Sequence, residues 1–197
     1  PVHLGGQPTY QEKIFRLSKK YGFKILEDAS HSIGAIRNGN EVGNCRWSDI
    51  TVFSFHAVKI ITTAEGGMAL TNSSDLYQKL QLLRSHGITR DKKKFLNSYQ
   101  NPWNYEQHLL GFNFRMNEIQ AALGMSQLNK IEKFIIKRNN IAKKYIKLLK
   151  DLPIDFQRIE KGNYSSYHLF IIKLKISNDK INQLTLYNYL KRNKIKS

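Results

Sequence analysis

The spacing of apolar and polar residues predicts helices that alternate with short strands in the first half of the chain. Three short apolar runs are predicted strands, at residues 23–26, 50–55 and 68–71. Two segments with apolar residues three or four positions apart are predicted helices, at 9–21 and about 75–83. End signals support both helices, because Gly22 follows the first and Ser73 precedes the second. This alternation favours an α/β layer architecture.

Two further segments have neither a helical nor a strand pattern. Residues 34–43 are rich in Gly and Asn, a composition that allows a hairpin turning at 38–40. Residues 88–107 are polar and aromatic without a period, so we predict a long loop there. Loops of that length in a compact domain are usually functional.

The pattern after this loop predicts one long helix that connects two domains. Apolar residues recur at three- to four-residue spacing or its multiples from Ile119 to Leu148, and Pro153 limits the helix. A strand at 169–174 and a helix at about 180–190 are predicted beyond it. Both ends of the chain run abruptly out of patterned sequence, so we expect a fragment of a longer protein.

Composition is that of a globular protein without cross-links. The 197 residues are 41% hydrophobic and 24% charged, as in ordinary soluble domains. No apolar run approaches the roughly 18 residues that a membrane helix needs, so no membrane partner is expected. Cys45 is the single cysteine, which excludes a disulfide framework and suits the reducing cytoplasm. The six histidines are scattered, so no metal site is expected.

A formal net charge of +17 is the unusual property of this composition. Such a charge is typical of proteins that bind nucleic acid, so a basic polyanion-binding domain is one alternative interpretation. Lys outnumbers Arg by 23 to 9, however, whereas we would expect a phosphate-binding protein to use more Arg. Much of the charge falls on the predicted long helix, whose basic residues, Arg138 included, are interpreted as a solvated face. We therefore favour compositional bias and expect no nucleic-acid partner.

Three residues near predicted strand ends carry candidate chemistry. Asp28 follows a buried strand, at the edge where α/β proteins place ligands, and Ser54 lies where the next strand ends and can bind a phosphate through its hydroxyl. Lys59 lies between Val58 and Ile60, where partial burial would favour the neutral amine that attacks carbonyls. The alternatives are an ordinary loop acid and a surface lysine. An acid, a hydroxyl and a lysine in this order are what pyridoxal phosphate needs for its ring nitrogen, its phosphate and its Schiff base.

Longer motifs around these residues resemble those of the DegT-type sugar-nucleotide aminotransferases. The matching stretches run through most of the chain in family order and are EDASH at 27–31, FSFHAVKIITTAEGGM at 53–68, LRSHGI at 83–88, the segment 111–128, and YHLF at 167–170. The resemblance implies the aspartate-aminotransferase-like, type I pyridoxal-phosphate fold. That fold has a mixed, mostly parallel sheet with flanking helices, followed by a smaller α+β domain.

On that fold the resemblance implies three regions. Residues 1–115 would be the C-terminal portion of the large cofactor-binding domain, and residues 116–150 a long connecting helix. Residues 151–197 would begin the small C-terminal domain. The family's N-terminal segment supplies a phosphate clamp and an aromatic that stacks on the pyridine ring. That segment would precede residue 1, so we expect this chain alone to bind the cofactor weakly or not at all, and to be inactive.

Carried over residue by residue, the resemblance assigns roles around pyridoxal 5'-phosphate. Lys59 would form the Schiff base and act as the acid and base of the proton shift, and Asp28 would pair with the pyridine nitrogen. His31 would lie near the ring hydroxyl, and Ser54 would bind the phosphate. Asn113 would reach the phosphate of the neighbouring subunit, which implies a homodimer with shared active sites.

The resemblance also implies the reaction. Arg115 and His168 match positions that are associated more loosely with substrate contact. Lys59 favours amino transfer, because a related dehydratase branch has His there. Glutamate would donate the amino group, and a keto sugar nucleotide would accept it.

Narrower matches are similar to the pseudaminic-acid branch of the family. They lie at residues 1–7, 42–45 and 103–107. Members of that branch aminate C4 of a UDP-linked 4-keto-6-deoxy-N-acetylhexosamine, and the 88–107 loop would then help to shape the substrate pocket. An aminotransferase of the same family that acts on another nucleotide 4-keto or 3-keto sugar is the alternative, because fold-mates share cofactor chemistry and differ in sugar contacts.

Two residues depart from the family pattern. Ala57 stands where the family usually has Pro, which loosens the turn before Lys59. Ala64 stands where it has Gly, which would strain the backbone if φ is positive there.

Overall fold

A computed structural model describes residues 1–98, 101–175 and 182–196. The α-helices are α1 Gln11–Tyr21, α2 Ser74–Arg84, α3 Glu118–Leu128, α4 Ile131–Leu149 and α5 Gln183–Arg192. The strands are β1 Leu26–Asp28, β2 Ile36–Arg37, β3 Asn40–Glu41, β4 Ile50–Ser54, β5 Gly67–Leu70, β6 Ile88–Thr89, β7 Glu106–Gln107, β8 Ile154–Phe156, β9 Asn163–Tyr164 and β10 Ile172–Leu174. Helices and strands alternate as the apolar spacing predicts.

A mixed sheet of β1, β4 and β5 organises the first half of the molecule. Strand β1 pairs in parallel with β4, with Asp28 opposite Val52, and β5 pairs antiparallel with the other edge of β4. The start of the chain extends the sheet beyond β1, because His3 N donates to Asp28 O at 3.0 Å. Since β1 and β4 are parallel, their carboxyl ends bring Asp28 and Ser54 to the same edge.

The hydrophobic core lies beside this sheet. Its buried members are Ala29, Ala35, Val42, Phe53, Phe55, Ile60, Ile61 and Ile135. Phe53 comes from β4 and Ile135 from α4, so the core joins the sheet to the second half of the chain. Ile60 and Ile61 belong to the loop after β4 and anchor that loop in the core.

The predicted hairpin at 38–40 is confirmed, and it acquires a distant third strand. Strands β2 and β3 pair antiparallel on either side of Asn38 and Gly39, and β9 pairs with the other edge of β2. A polar network supports this pairing. Arg37 Nε donates to both carboxylate oxygens of Glu12, and Arg37 Nη1 donates to Asn163 Oδ1 at 2.9 Å.

The single long helix predicted over 116–150 is wrong, because the chain forms two helices there. Helix α3 ends at Leu128, Asn129 N donates to Met125 O, and Lys130 leaves helical geometry at φ −112° and ψ 2°. Asn favours helix ends over helix interiors because its side chain competes for backbone bonds. The break leaves the apolar spacing intact, so periodicity alone could not reveal it.

The first strand begins later than predicted. Strand β1 starts at Leu26 instead of Phe23, and it includes Glu27 and Asp28 instead of ending before them. Leu26 is 59% exposed whereas Glu27 is 1% exposed, so polarity and burial are inverted at these two positions. The hydrogen bonds described below for Glu27 account for the inversion.

The segment predicted as an unstructured loop at 88–107 has a closed base. Strands β6 and β7 pair antiparallel across it, and the carboxylate of Glu106 accepts hydrogen bonds from the amides of Leu96 and Asn97. These bonds, with one from His108, lower the pKa of Glu106 to about 2. Residues 99 and 100 lie outside the described part of the chain.

The last part of the chain contains a two-stranded sheet and a helix. Strand β10 pairs antiparallel with β8, and it covers only the end of the predicted strand at 169–174. Helix α5 starts at Gln183, and the predicted start near 180 lies outside the described residues. Among the described helices, none is long and apolar enough to cross a bilayer.

Candidate active site

The carboxylate of Asp28 lies at the sheet edge where β1 ends. Side chains alternate along β1, so Glu27 is buried while Asp28 points to the opposite face and is exposed. Ser30 N donates to Asp28 Oδ1 at 2.9 Å. Hydrogen bonding from Ser30, and then the nearby His31 and Lys59, lower the pKa of Asp28 below its ordinary value. Asp28 is therefore ionised at neutral pH.

Lys59 lies on the loop after β4, which backbone bonds and the core hold in place. Phe55 N donates to Gly66 O at 2.8 Å, and Thr63 N donates to Phe55 O at 2.9 Å, which closes the loop. Ile60, directly after Lys59, is buried in the core. Lys59 itself is half-buried, in agreement with the partial burial expected from its apolar neighbours.

Ser54 is the last residue of β4 and lies at the same edge as Asp28. It is half-buried, and its Oγ accepts a long hydrogen bond of 3.4 Å from His56 N. Its hydroxyl donates to no acceptor in the described part of the chain, so the proton is available for an anion.

The imidazole rings of His31 and His168 are in contact, with centroids 4.5 Å apart. Gly5 N donates to His31 Nδ1 at 3.4 Å. Burial lowers the pKa of His168 to about 4, and the nearby His31, Lys59 and Arg138 act in the same direction. Burial and Lys59 also lower the pKa of His31. Both imidazoles are therefore neutral at neutral pH.

A glycine lets the segment 165–168 approach the start of the chain. Gly6 has φ +100°, and a Cβ there would lie 2.6 Å from Ser166 Oγ and 2.7 Å from Tyr167 N. Ser166 N donates to Gly6 O at 3.1 Å, and Ser166 Oγ donates to His31 O at 3.0 Å. The Gly6 backbone therefore fixes the segment that carries His168.

Asn113 and Arg115 lie in a different environment. Asn113 forms an antiparallel bridge with Ser85, and Phe112 N donates to Leu83 O at 2.7 Å. Both Asn113 and Arg115 are exposed. Asp28, His31, Lys59 and His168 lie close enough to shift one another's pKa values or to be a cause of such a shift. The roles of Asn113 and Arg115 stay predictions.

Directly behind Asp28, Glu27 forms a buried polar cluster. Its carboxylate accepts hydrogen bonds from Gln11 at 2.7 Å, Thr51 at 2.9 Å and Ser48 at 3.1 Å. His3 Nε2 lies 3.8 Å from Glu27 Oε1, and both side chains are almost fully buried. Burial alone would raise the pKa of Glu27, but His3 and the hydrogen bonds outweigh burial and leave that pKa below its ordinary value. The cluster ties α1, β1 and β4 together.

The expectation that Arg138 lies on a solvated helix face is wrong. It is half-buried, and its Nη1 donates to Tyr167 O at 3.0 Å and to His168 O at 3.2 Å. The sequence did carry a signal for this position. Ile135, Arg138, Asn139 and Ala142 are spaced by three, four and seven residues, so they share one helix face, and Ile135 and Ala142 are its buried members.

Ala64 does adopt the conformation that would strain it. Its φ is +64°, in the left-handed region that favours Gly. Ala64 N donates to Thr62 Oγ1 at 2.9 Å, and Thr63 Oγ1 donates to Glu65 O at 2.8 Å, so the turn holds this conformation.

Replacing Ala64 with Gly is expected to stabilise the protein by about 1 kcal/mol, because the strain exceeds the entropy that Gly adds to the unfolded chain. The measurement is the shift in urea midpoint of the Ala64→Gly variant. Ala69→Gly, at an exposed position in β5, is the matched control and should instead lower stability by up to about 1 kcal/mol. An Ala64→Gly midpoint at or below that of the parent protein would contradict the strain.

No group of three or more His, Cys, Asp or Glu within the described residues could hold a metal ion. What this edge of the sheet offers is an ionised carboxylate, a half-buried lysine, a free hydroxyl and two neutral imidazoles. These groups suit a cofactor that is itself anionic and carries a basic ring nitrogen.

The chain belongs to the DegT/DnrJ/EryC1/StrS aminotransferase family, whose model matches residues 1–197. The α/β fold is that of the solved structures of this family. One is an aminotransferase involved in the biosynthesis of pseudoaminic acid, from Helicobacter pylori, with a TM-score of 0.85 and 34% identity over 98% of this chain and 49% of that one. Another is a sugar aminotransferase of Streptococcus pneumoniae in its PMP form, with a TM-score of 0.86 and 26% identity. The alignment with it covers 100% of this chain and 53% of that one.

Curated relatives match the chain as well. A UDP-4-amino-4,6-dideoxy-N-acetyl-beta-L-altrosamine transaminase of Campylobacter jejuni is 38% identical over 88% of this chain and 43% of its own length. An uncharacterized protein of Methanocaldococcus jannaschii is 36% identical over 99% of this chain and 50% of its own length. The chain therefore spans about half the length of the relatives that it matches.

Proposed function

We propose that the full-length protein containing this chain transfers an amino group from glutamate to C4 of a UDP-linked 4-keto-6-deoxy-N-acetylhexosamine. The observation that carries the proposal is the grouping of ionised Asp28, at the carboxyl end of β1, with half-buried Lys59, on the loop after the parallel strand β4. The named transaminase relatives support the sugar and the pseudaminic-acid pathway. A single, buried cysteine suits a reducing compartment and supports a cytoplasmic location.

Pyridoxal 5'-phosphate fits the residues at this edge. When bound, it supplies an electron sink that lets the amino group change carriers. Asp28 stays ionised and can pair with a protonated ring nitrogen, and the Ser54 hydroxyl can donate to the phosphate. Neutral His31 lies beside Asp28 and can contact the ring hydroxyl. Two family structures in PLP and PMP forms support this cofactor.

Lys59 is the residue proposed to bond the cofactor and to move protons. Its loop is anchored by Ile60 and by the closing bonds of Phe55, which hold the backbone at Lys59 in place. As a free amine it takes a proton from substrate carbon and delivers it to another atom, the role of a general acid and base. Neutral His31 and His168 add no positive charge that would repel a protonated Lys59.

The exposed positions of Asn113 and Arg115 support shared active sites in a homodimer. A residue that serves the neighbouring subunit's phosphate must lie on the surface of its own subunit, as Asn113 does. Stacked Phe112 and Phe114, at 4.7 Å, are also 56% and 72% exposed beside it. An exposed aromatic pair of this kind suits contact with a second subunit.

The test is amino transfer by the full-length protein from glutamate to a panel of UDP- and dTDP-linked keto sugars. We expect the UDP-linked 4-keto-6-deoxy-N-acetylhexosamine to be the best acceptor, with the product identified by mass spectrometry. A higher kcat/KM for another nucleotide sugar would contradict the proposed substrate but would leave the proposed amino transfer in place. No transfer to any member of the panel would overturn the proposed function.

A further inference from the structure

Arg138 is a half-buried cation without a carboxylate partner among the described residues. Burial lowers the pKa of Arg138, yet a guanidinium remains charged in proteins. Desolvating a charge is unfavourable unless specific bonds offset the loss of water. The bonds that Nη1 makes go to two consecutive carbonyl oxygens, of Tyr167 and His168. Arg138 is therefore directed at one peptide segment.

That segment has a strained backbone. Tyr167 has φ +44°, in the left-handed region that a residue with a large side chain seldom adopts. Tyr167 N donates to Ser165 Oγ at 3.1 Å, and Asn139 Nδ2 donates to Ser165 O at 2.9 Å. Strain of this kind persists only where surrounding contacts fix it, and it concentrates at functional sites. Arg138 and Asn139, neighbours on α4, supply those contacts.

The strained backbone at Tyr167 precedes His168 directly and fixes where the His168 ring lies. Its ring contacts that of His31, and its Nδ1 is buried without a hydrogen-bond partner in the described part of the chain. Unpaired buried nitrogens are rare in folded proteins, and each needs an explanation. Lys59 lies close enough to affect the His168 imidazole electrostatically. The ring contact with His31 places His168 at the edge of the Lys59 site, so a ligand bound there is the partner that we infer for that nitrogen.

We propose that Arg138 is a positioning residue, which holds the Tyr167–His168 peptide so that His168 Nδ1 exchanges a hydrogen bond with a hydroxyl of the nucleotide-sugar acceptor. The assignment of the acceptor rests on the proposed function. A hydroxyl both donates and accepts, so it matches either tautomer of a neutral imidazole. The carboxylates of the amino donor are a poorer match, because a neutral ring has no charge to attract them.

The test uses the full-length enzyme with cofactor bound and three variants: Arg138→Met, His168→Ala and the double variant. We expect each single variant to lose about 10- to 100-fold in kcat/KM for the acceptor sugar, as misplacement of a contact by an ångström can do. The double variant should lose no more than the worse single one, because both changes remove the same contact. The single-turnover rate with glutamate should stay unchanged. Lys137→Met removes a charge from the adjacent exposed position and should leave both rates unchanged.

Additive losses in the double variant, or an equal loss in the glutamate step, would overturn the positioning role. A wild-type enzyme without any transfer would instead be a failure of the proposed function. A second measurement covers a variant that folds poorly: the pKa of His168, followed by nuclear magnetic resonance of labelled histidine in Arg138→Lys and wild type. Loosening the peptide should move this pKa from about 4 towards 6.5, its ordinary value. A stable Arg138→Lys protein whose His168 keeps the wild-type pKa would count against the proposal.

Discussion

Lys59→Ala is expected to abolish amino transfer by the full-length protein, with a loss of at least about 10³-fold in turnover. Two functions disappear with this side chain: the amine that bonds the cofactor and the acid and base that moves the proton. Borohydride reduction of the wild-type enzyme, followed by peptide mapping, should place the cofactor on the peptide that contains Lys59. Steady-state assays with glutamate and the acceptor sugar measure the loss.

The matched control is Lys133→Ala, which removes a lysine from an exposed position on α4. Its turnover should equal that of the parent protein. Labelling of any other lysine, or a Lys59→Ala enzyme that keeps more than about a tenth of its activity, would show that Lys59 lacks the proposed role. Such an outcome would leave the family membership intact, because that rests on the whole chain.

Glu27→Ala is expected to lower the free energy of unfolding at pH 7 by about 3 kcal/mol, the largest effect on stability that we foresee. Removing one member of a buried charged cluster leaves its partners desolvated and unpaired. Here the partners are Gln11, Thr51 and His3, and a cavity adds to the loss. Urea unfolding of the two proteins measures the difference.

Acid should reduce that difference. Because the pKa of Glu27 is lower in the folded than in the unfolded protein, its ionisation stabilises the fold at pH values above about 4.5. The stabilisation is lost as pH falls below that value and through the folded-state pKa. Glu41→Ala, at an exposed position in β3, is the control and should change stability by less than about 0.5 kcal/mol. A Glu27→Ala effect no larger than that of Glu41→Ala would contradict the structural role of the cluster.

Local patterns in the sequence were sufficient to predict the strands and the loop that carry the candidate site residues. Asp28 and Lys59 stand in contiguous motifs whose strand and loop form from neighbouring residues, so their placement at one sheet edge follows from the parallel pairing of β1 with β4. The hairpin at Asn38 and Gly39 is likewise local, since turn chemistry is fixed by adjacent residues. For these features, short-range information was enough.

Features that depend on distant contacts were not predictable. The burial of Glu27 is compensated by Gln11 and Thr51, which lie 16 and 24 residues away in sequence. Arg138 looked like one more solvated cation, because the carbonyls that it contacts are 29 and 30 residues further along the chain. Helical periodicity places Arg138 on the buried face, but it does not identify the distant carbonyls that its charge contacts.

The pairing of β9 with β2 joins distant parts of the chain, from which we expect an order in the folding of the site. Arg37 and Asn163, joined by a hydrogen bond across that pair, are 126 residues apart in sequence. Closing so long a loop is entropically costly, and contacts of high sequence separation form slowly. Asp28, Ser54 and Lys59 lie on elements close in sequence and can assemble early, whereas we expect His168, four residues after β9, to reach His31 late. During synthesis, the part of the site with Asp28, Ser54 and Lys59 can therefore form before His168 has been added.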